Sequence, residues 1–190
     1  MNILEKEYSV SDAEKASGLS KHKVQHYLNR GFVAGFEASG GRGVPRRLSF
    51  SNLTEFALAR ALKDDIGMSE PDAFRLVKIY THTDASPNGK PKRKLGLPFH
   101  YEHGDTLLML SRKRQFLTEL DTSAPSRSQN IVISALQEVA GPNGSLDVEA
   151  MLMVNVSTVF RNICYNIGIE DWRAALDEAY SDAGFQEVSA

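Results

Sequence analysis

Apolar positions in the first half of the chain recur at three- and four-residue spacing in short runs set apart by glycine, which predicts a series of short helices. Tyr8 to Val10 read as a brief extended lead. The first helix covers Ser11 to Ser17 and turns Ala13 and Ala16 inward. Ser11 stands three residues before Glu14, the spacing of a capping box. Gly18 ends this helix, because a residue without a Cβ turns the chain there at least cost. Leu19 fills the corner, and Ser20 caps a second helix running from Lys21 to about Asn29. Val24, Tyr27 and Leu28 share its inner face. Ser51 caps a third helix reaching to about Ile66, with Leu53, Phe56, Ala57, Ala61, Leu62 and Ile66 on a broad apolar side and Gly67 at its end. Ser69, with Pro71 in the first turn and Asp72 three residues on, starts a fourth helix whose buried stripe is Ala73, Leu76, Val77 and Tyr80.

Two short helices joined by a glycine-containing turn describe a helix-turn-helix. The polar face of the second helix carries Lys21, His22, Lys23, Gln25, His26 and Arg30, and no acidic residue occurs between Glu14 and Glu37. Donors and cations without a carboxylate suit a polyanion, and the N-terminal end of such a helix adds a phosphate contact. Between the second and third helices, residues Ala34 to Phe50 hold Gly35, Gly40, Gly41 and Gly43, with Arg42, Arg46 and Arg47 at or after the bend. Phe36 precedes the glycines, Leu48 and Phe50 follow, and Pro45 fits an edge strand, so the stretch reads as a β-hairpin with a glycine-rich tip. No Gly-Lys-Ser/Thr and no strand-to-helix context is present, so it is not read as a nucleotide loop.

The run Ser-Lys-His-Lys-Val-Gln-His-Tyr-Leu-Asn-Arg-Gly-Phe-Val, residues 20–33, resembles the recognition helix of MerR-type transcription regulators. Ser20, Val24, Tyr27, Gly31, Phe32 and Val33 fit that pattern. Gln25 stands where the family usually has Arg, and His26 where it usually has an aromatic. The likeness runs from Tyr8 to about Tyr80. It implies a winged helix-turn-helix in which the second helix enters the major groove and the hairpin is the wing along the DNA backbone. Ser20, Lys21, His22, Lys23, Gln25 and His26 would then lie nearest base edges and phosphates. Tyr27 and Arg30 would touch the backbone or brace the helix, and Arg42, Arg46 and Arg47 would ride the wing. The long dimerising coiled-coil helix of typical members is missing after Tyr80, so the promoter-untwisting mechanism is not carried over.

Instead, Thr81 to Lys94 reads as a linker with a turn at Pro87-Asn88-Gly89 and a basic cluster of Lys90, Lys92, Arg93 and Lys94. That cluster is either a phosphate contact or a solvated loop. The expected organisation is α+β: a winged-helix domain over residues 1–80, a basic linker over 81–96 and a small α+β domain over 97–190. In the last of these, Leu97–Tyr101 and Thr106–Leu110 flank His103-Gly104-Asp105 as a hairpin, with Arg112, Lys113 and Arg114 after it. Ser123 to Arg127 reads as a loop. Ile131, Ala135, Leu136 and Val139 mark a helix ending at Gly141, and Leu146 to Val156 a buried strand. Ser157 caps a helix bearing Phe160, Ile163, Cys164 and Ile167, which Gly168 ends. A last helix carries Trp172, Leu176, Ala179 and Tyr180, and the tail from Gly184 frays.

Charge sharpens this division. Residues 1–100 hold 16 Lys/Arg against 11 Asp/Glu, and residues 101–190 hold 6 against 13, although the whole chain is only at −2. A basic front and an acidic back suit a DNA-reading module joined to a part that avoids DNA. The single cysteine rules out an intramolecular disulfide and a thiolate cluster. No signal-peptide pattern and no membrane-length apolar run is present, so a cytoplasmic protein is expected. Cys164 lies on an apolar helix face and reads as core. His100 and His103, three apart on an expected strand, point to opposite faces and do not form a metal pair. No catalytic or metal-binding pattern stands out, so the expectation is a non-enzyme without a cofactor.

The function expected is a sequence-specific double-stranded DNA-binding regulator of transcription, a repressor or an activator. One small module reads few base pairs, so a homodimer on an inverted repeat is expected. The C-terminal half would supply dimerisation, effector sensing or both, and RNA polymerase is a further partner to consider. The main alternative is an excisionase-like architectural factor that bends DNA in recombination. A winged helix that binds protein is the other.

Overall fold

The structure is a computed structural model that describes residues 2–35, 46–83, 93–110, 115–120 (backbone only) and 152–181. Arg42, the glycine-rich tip, Lys90, Lys92, Arg112 to Arg114, the loop at 123–127, the helix expected at 131–139 and the tail lie outside the described residues. The chain divides into two compact units. One takes in residues 1–97 together with 159–190, and the other residues 98–158. The C-terminal helices thus group with the N-terminal ones, across the boundary that the linker at 81–96 suggested.

The first unit begins with α1 (Val10–Ser17) and α2 (Lys21–Asn29), followed by α3 (Phe50–Asp64) and α4 (Glu70–His82). Tyr8 and Leu48 form an antiparallel bridge, exchanging backbone hydrogen bonds of 2.8 and 2.9 Å. A serine follows each bridge residue, and each serine caps a helix. Ser9 Oγ accepts the Asp12 N–H while Asp12 accepts the Ser9 N–H, and Ser49 and Asn52 do the same for α3. The expected caps at Ser11 and Ser51 are therefore corrected by two residues each. The bridge fixes where extended backbone stops, and the helix starts at once. Gly18 closes α1 with φ 72°, in the left-handed region that suits glycine. Ser20 caps α2 and Ser69 caps α4, as expected.

The core behind these helices is aromatic. Phe74 lies 4.9 Å from Tyr27, 5.6 Å from Phe32 and 6.1 Å from Phe56, ring centre to ring centre. α3 is buried on nearly every side, with Leu53, Phe56, Leu58 and Leu62 at 0% exposure. Ile66, expected on its apolar side, is exposed, because α3 ends at Asp64.

Residues 93–97 pack into this unit. The Arg93 guanidinium is buried and donates to the carbonyls of Tyr80, Thr83, Lys94 and Leu97, while lying 4.1 Å from the centre of the Tyr80 ring. The Tyr80 hydroxyl donates to the Leu97 carbonyl. Ser51 Oγ donates to the Leu95 carbonyl and Thr54 Oγ1 to that of Gly96. Of the expected basic cluster, Arg93 is therefore neither a phosphate contact nor part of a solvated loop. It neutralises the carbonyl end of α4, where the helix dipole concentrates negative charge.

Two C-terminal helices complete the unit, α5 (Val156–Asn166, from residue 159) and α6 (Trp172–Tyr180). The Phe160 ring sits 5.7 Å from that of Phe50, and the Tyr180 hydroxyl accepts the Lys94 N–H. Cys164 is fully buried, and burial pushes its thiol up to about 12.

The second unit carries a three-stranded antiparallel sheet of order β2-β1-β3: β1 (Asp105–Leu110), β2 (Gln115–Leu120) and β3 (Leu152–Asn155). Leu97–Tyr101, expected as the first arm of a hairpin, is not a strand. Leu97 and Phe99 are buried through turns, and Tyr101–His103 is a short 3-10 helix. The hairpin is β1–β2, in register from Asp105 opposite Leu120 to Leu110 opposite Gln115. Asn155 Oδ1, not Ser157, accepts the Thr158 N–H at the start of α5. Ser157 Oγ accepts the Thr106 N–H instead. His100 and His103 lie at a turn rather than on a strand, and His100 Nδ1 is 3.4 Å from Glu102.

Candidate nucleic-acid interface

α2 presents a simple division of labour. Val24, Tyr27 and Leu28 are buried, while Lys21, His22, Lys23, Gln25, Asn29 and Arg30 are exposed and His26 is half-buried. Ser20 stands exposed at the cap, with Oγ accepting the Lys23 N–H. The helix itself contains no carboxylate, so four consecutive polar positions around its first turn and the Gln25 side chain form an outward surface of donors and cations.

Of the two roles expected of Tyr27, the geometry carries the brace rather than the backbone contact. It is 2% exposed, and its hydroxyl donates to Glu70 Oε1 at 2.7 Å. Tyr27 braces α2 against α4. Burial and the Glu70 carboxylate both raise the tyrosine, and the same hydrogen bond, with Lys63 nearby, holds the Glu70 carboxyl below its usual value.

The N-terminus of α2 is not open as expected. Glu14, released from any capping box by the start of α1 at Val10, reaches across the turn and accepts the Lys21 N–H through Oε1 at 3.1 Å. The charge that sequence spacing placed in the first turn of α1 thus sits where a phosphate oxygen was expected.

After α2, Gly31 turns the chain at φ 67° and Val33 is buried. α3 holds Ala34 by both backbone groups. The Ala34 N–H donates to Glu55 Oε2 at 3.2 Å, and Asn52 Nδ2 donates to the Ala34 carbonyl at 2.9 Å. Further along the chain, Arg46 donates to Asn29 Oδ1 at the end of α2. Arg47 pairs with Glu7 at 2.7 Å, with 73% of its own side chain exposed. An exposed pair of this kind is worth at most about 1 kcal/mol, so Arg47 can exchange Glu7 for another anion.

The structure therefore brings Lys21, His22, Lys23, Gln25 and Arg30 to the open side of one helix and joins Arg46 to its C-terminal end. Sequence reasoning missed Asn29, Glu7, Glu14, Glu55 and Glu70, which hold or oppose those side chains. Only Glu55 left a signal, as an acidic residue inside an otherwise apolar helical run. Among the described residues, no group of three His, Cys, Asp or Glu side chains could hold a metal ion. Among them, too, no helix is long and apolar enough to cross a membrane.

Comparison with known families agrees with this geometry. Residues 8–78 match the model of the MerR HTH family regulatory proteins. The head is a MerR-type helix-turn-helix. No curated protein matches the chain. The match takes in α1, α2, α3 and most of α4, and it makes this MerR-type head a DNA-binding regulatory module. Its α2 is the helix that the family resemblance sends to the major groove. Its α4 stops at His82, and the buried Arg93 caps that end.

Proposed function

We propose that this protein is a sequence-specific transcription regulator that binds an inverted repeat in double-stranded DNA as a homodimer. One observation carries the reading: α2 exposes Lys21, His22, Lys23 and Gln25 on a helix without a carboxylate, and Arg46 is bonded to Asn29 at its far end. Side chains of these types bond base edges and phosphates, and each good base pairing gives about 1–3 kcal/mol of discrimination. That is too little for one copy to find one site, which is the reason for two copies and a repeated half-site. Residues 98–158 are the part we assign to dimerisation or effector sensing.

Selection of bound sequences from random duplexes tests this. Enrichment of a palindrome supports the reading. Recovery of single half-sites with strong bending favours an excisionase-like architectural role. The absence of any enriched sequence overturns it.

A further inference from the structure

Asn29 and Arg46 join two elements through their side chains. Asn29 is the last residue of α2 and is exposed. Arg46 Nη2 donates to its Oδ1. A guanidinium carries donors only, so the contact also fixes how the amide is turned, with Oδ1 toward Arg46 and Nδ2 on the other side. The backbone near Arg46 is held as well. Two residues on, Leu48 exchanges backbone hydrogen bonds of 2.8 and 2.9 Å with Tyr8, and Arg47 between them pairs with Glu7. Neighbouring arginines thus go to different anchors: Arg47 to a carboxylate, and Arg46 to the helix that carries the base-reading candidates.

The place of Asn29 on α2 gives this contact a consequence. His22, Gln25, His26 and Asn29 follow one another at helical spacing, so they line one face across two turns. His22, Gln25 and Asn29 are exposed there, and His26 is half-buried. A recognition helix in the major groove reads base edges from such a face. Asparagine in that setting pairs with adenine, accepting from N6 through Oδ1 and donating to N7 through Nδ2. Here Arg46 bonds that Oδ1 and sets a cation where the adenine amino group would come. The pair therefore presents donors and positive charge to the groove. The base whose major-groove edge offers two acceptors, N7 and O6, is guanine.

We infer that Asn29 and Arg46 form a specificity-determining pair that reads a guanine at the C-terminal end of α2. The inference rests on the DNA-binding reading above and deepens it by naming a base. Asn29 is the positioning residue, holding the guanidinium beside the α2 face. Arg46 is the reader, since a guanidinium has donors enough to bond Asn29 and guanine together.

The test selects duplexes from a random pool with the parent, Asn29→Ala, Arg46→Ala and the double variant, beside thermal melting. The parent should select a half-site containing one G·C pair that neither single variant selects. On the parent's own duplex, changing that pair to A·T should weaken the parent about 5- to 150-fold and each variant less than about three-fold. The double variant should lose no more discrimination than either single one, because the two side chains act together. Asn29→Ala keeps the Arg46 charge, so loss of base choice in it reports position rather than charge. A role in stability alone lowers melting and leaves base choice untouched. A phosphate contact alone weakens binding to all duplexes and leaves base choice untouched. The inference is overturned if either folded single variant keeps the parental preference at every position, or if the preference lost is for a base other than guanine. Arg46→Ala carries the test if Asn29→Ala does not fold. A parent that selects no sequence overturns the DNA-binding reading and this inference together. A parent that selects one which the variants select unchanged overturns this inference alone.

Discussion

The carboxylate of Glu14, on α1, accepts the backbone N–H of Lys21, the first residue of α2. It is an internal anion at the N-terminal end of the helix proposed to read DNA. Glu14→Gln keeps an oxygen for that N–H and removes the charge. We expect it to tighten DNA binding two- to five-fold at low salt, with the gain shrinking as salt rises, since charge effects at a helix end are about 0.3–1 kcal/mol and are screened. Titration of one duplex at two ionic strengths checks both parts. Equal or weaker binding at low salt would show that Glu14 does not oppose the ligand.

Gln25 and Arg47 should fail differently. Gln25 is exposed on α2, whereas Arg47 makes an exposed pair with Glu7. Gln25→Ala should relax preference at one base pair by about 1–3 kcal/mol and leave the salt slope alone. Arg47→Ala should weaken binding to all duplexes alike and reduce the slope by about 1. Competition with single-base variants of the selected site separates the two.

Glu70 sets an acid limit. Tyr27 donates to its carboxylate, and this hydrogen bond is the largest cause of its lowered pKa. A lowered carboxyl stabilises the fold above its unfolded pKa and loses that contribution as pH falls through the folded one. Stability should hold at neutral pH and decline below about pH 4, where an ordinary glutamate protonates. Tyr27→Phe should lower stability at pH 7 and flatten this acid decline. Urea melts of both proteins from pH 3 to pH 7 would show it.

Cys164 sets the alkaline limit. Its thiol is pushed up to about 12 from 9.0 by burial, so it stabilises the fold fully below about pH 9 and loses that contribution as pH rises toward 12. It should resist thiol reagents in the native protein and react at once in denaturant. Rapid labelling at pH 8 would contradict the buried position.

The segment at 93–97 predicts the largest stability effects. Gly96 has φ 74°, and a Cβ there would meet Ser51 Cα at 2.6 Å. Gly96→Ala should cost about 2 kcal/mol or more, because backbone on both sides must shift. Arg93→Met keeps the aliphatic stem but strands the carbonyls of Tyr80 and Thr83, and should cost about 3 kcal/mol. Thermal melts of the full chain measure both.

Local signals made the head legible. Ser20 and Asn29 bound α2 as expected, Gly18 and Gly67 turn with positive φ, and Ser69 with Pro71 starts α4. The two misplaced caps show where local signals stop. Ser9 and Ser11 each have an acidic residue three positions on, and only the Tyr8–Leu48 bridge, forty residues apart in sequence, chooses between them. Arg93 misled for a related reason. A lysine-rich neighbourhood looks solvated, and nothing local announces the carbonyls of Tyr80 and Thr83 waiting at the end of α4. Strand β2 (Gln115–Leu120) was overlooked because its pairing with β1 is a property of two segments together, whereas Leu97 and Phe99 imitated a strand while packing through turns. At the candidate interface, the exposed cations were readable from helical spacing. Their carboxylate counterparts, Glu7, Glu14 and Glu70, arrive from other elements.

The ring of Phe160 against Phe50, and the Tyr180 hydroxyl on Lys94, close the first unit with residues from the far end of the chain. On the ribosome, the helices that would read a promoter emerge early but stay uncovered on that flank until Phe160 and Tyr180 have been translated. A message cut short would yield a polypeptide whose reading head is unfinished, so prematurely terminated copies would compete poorly with intact ones for the same genomic sites.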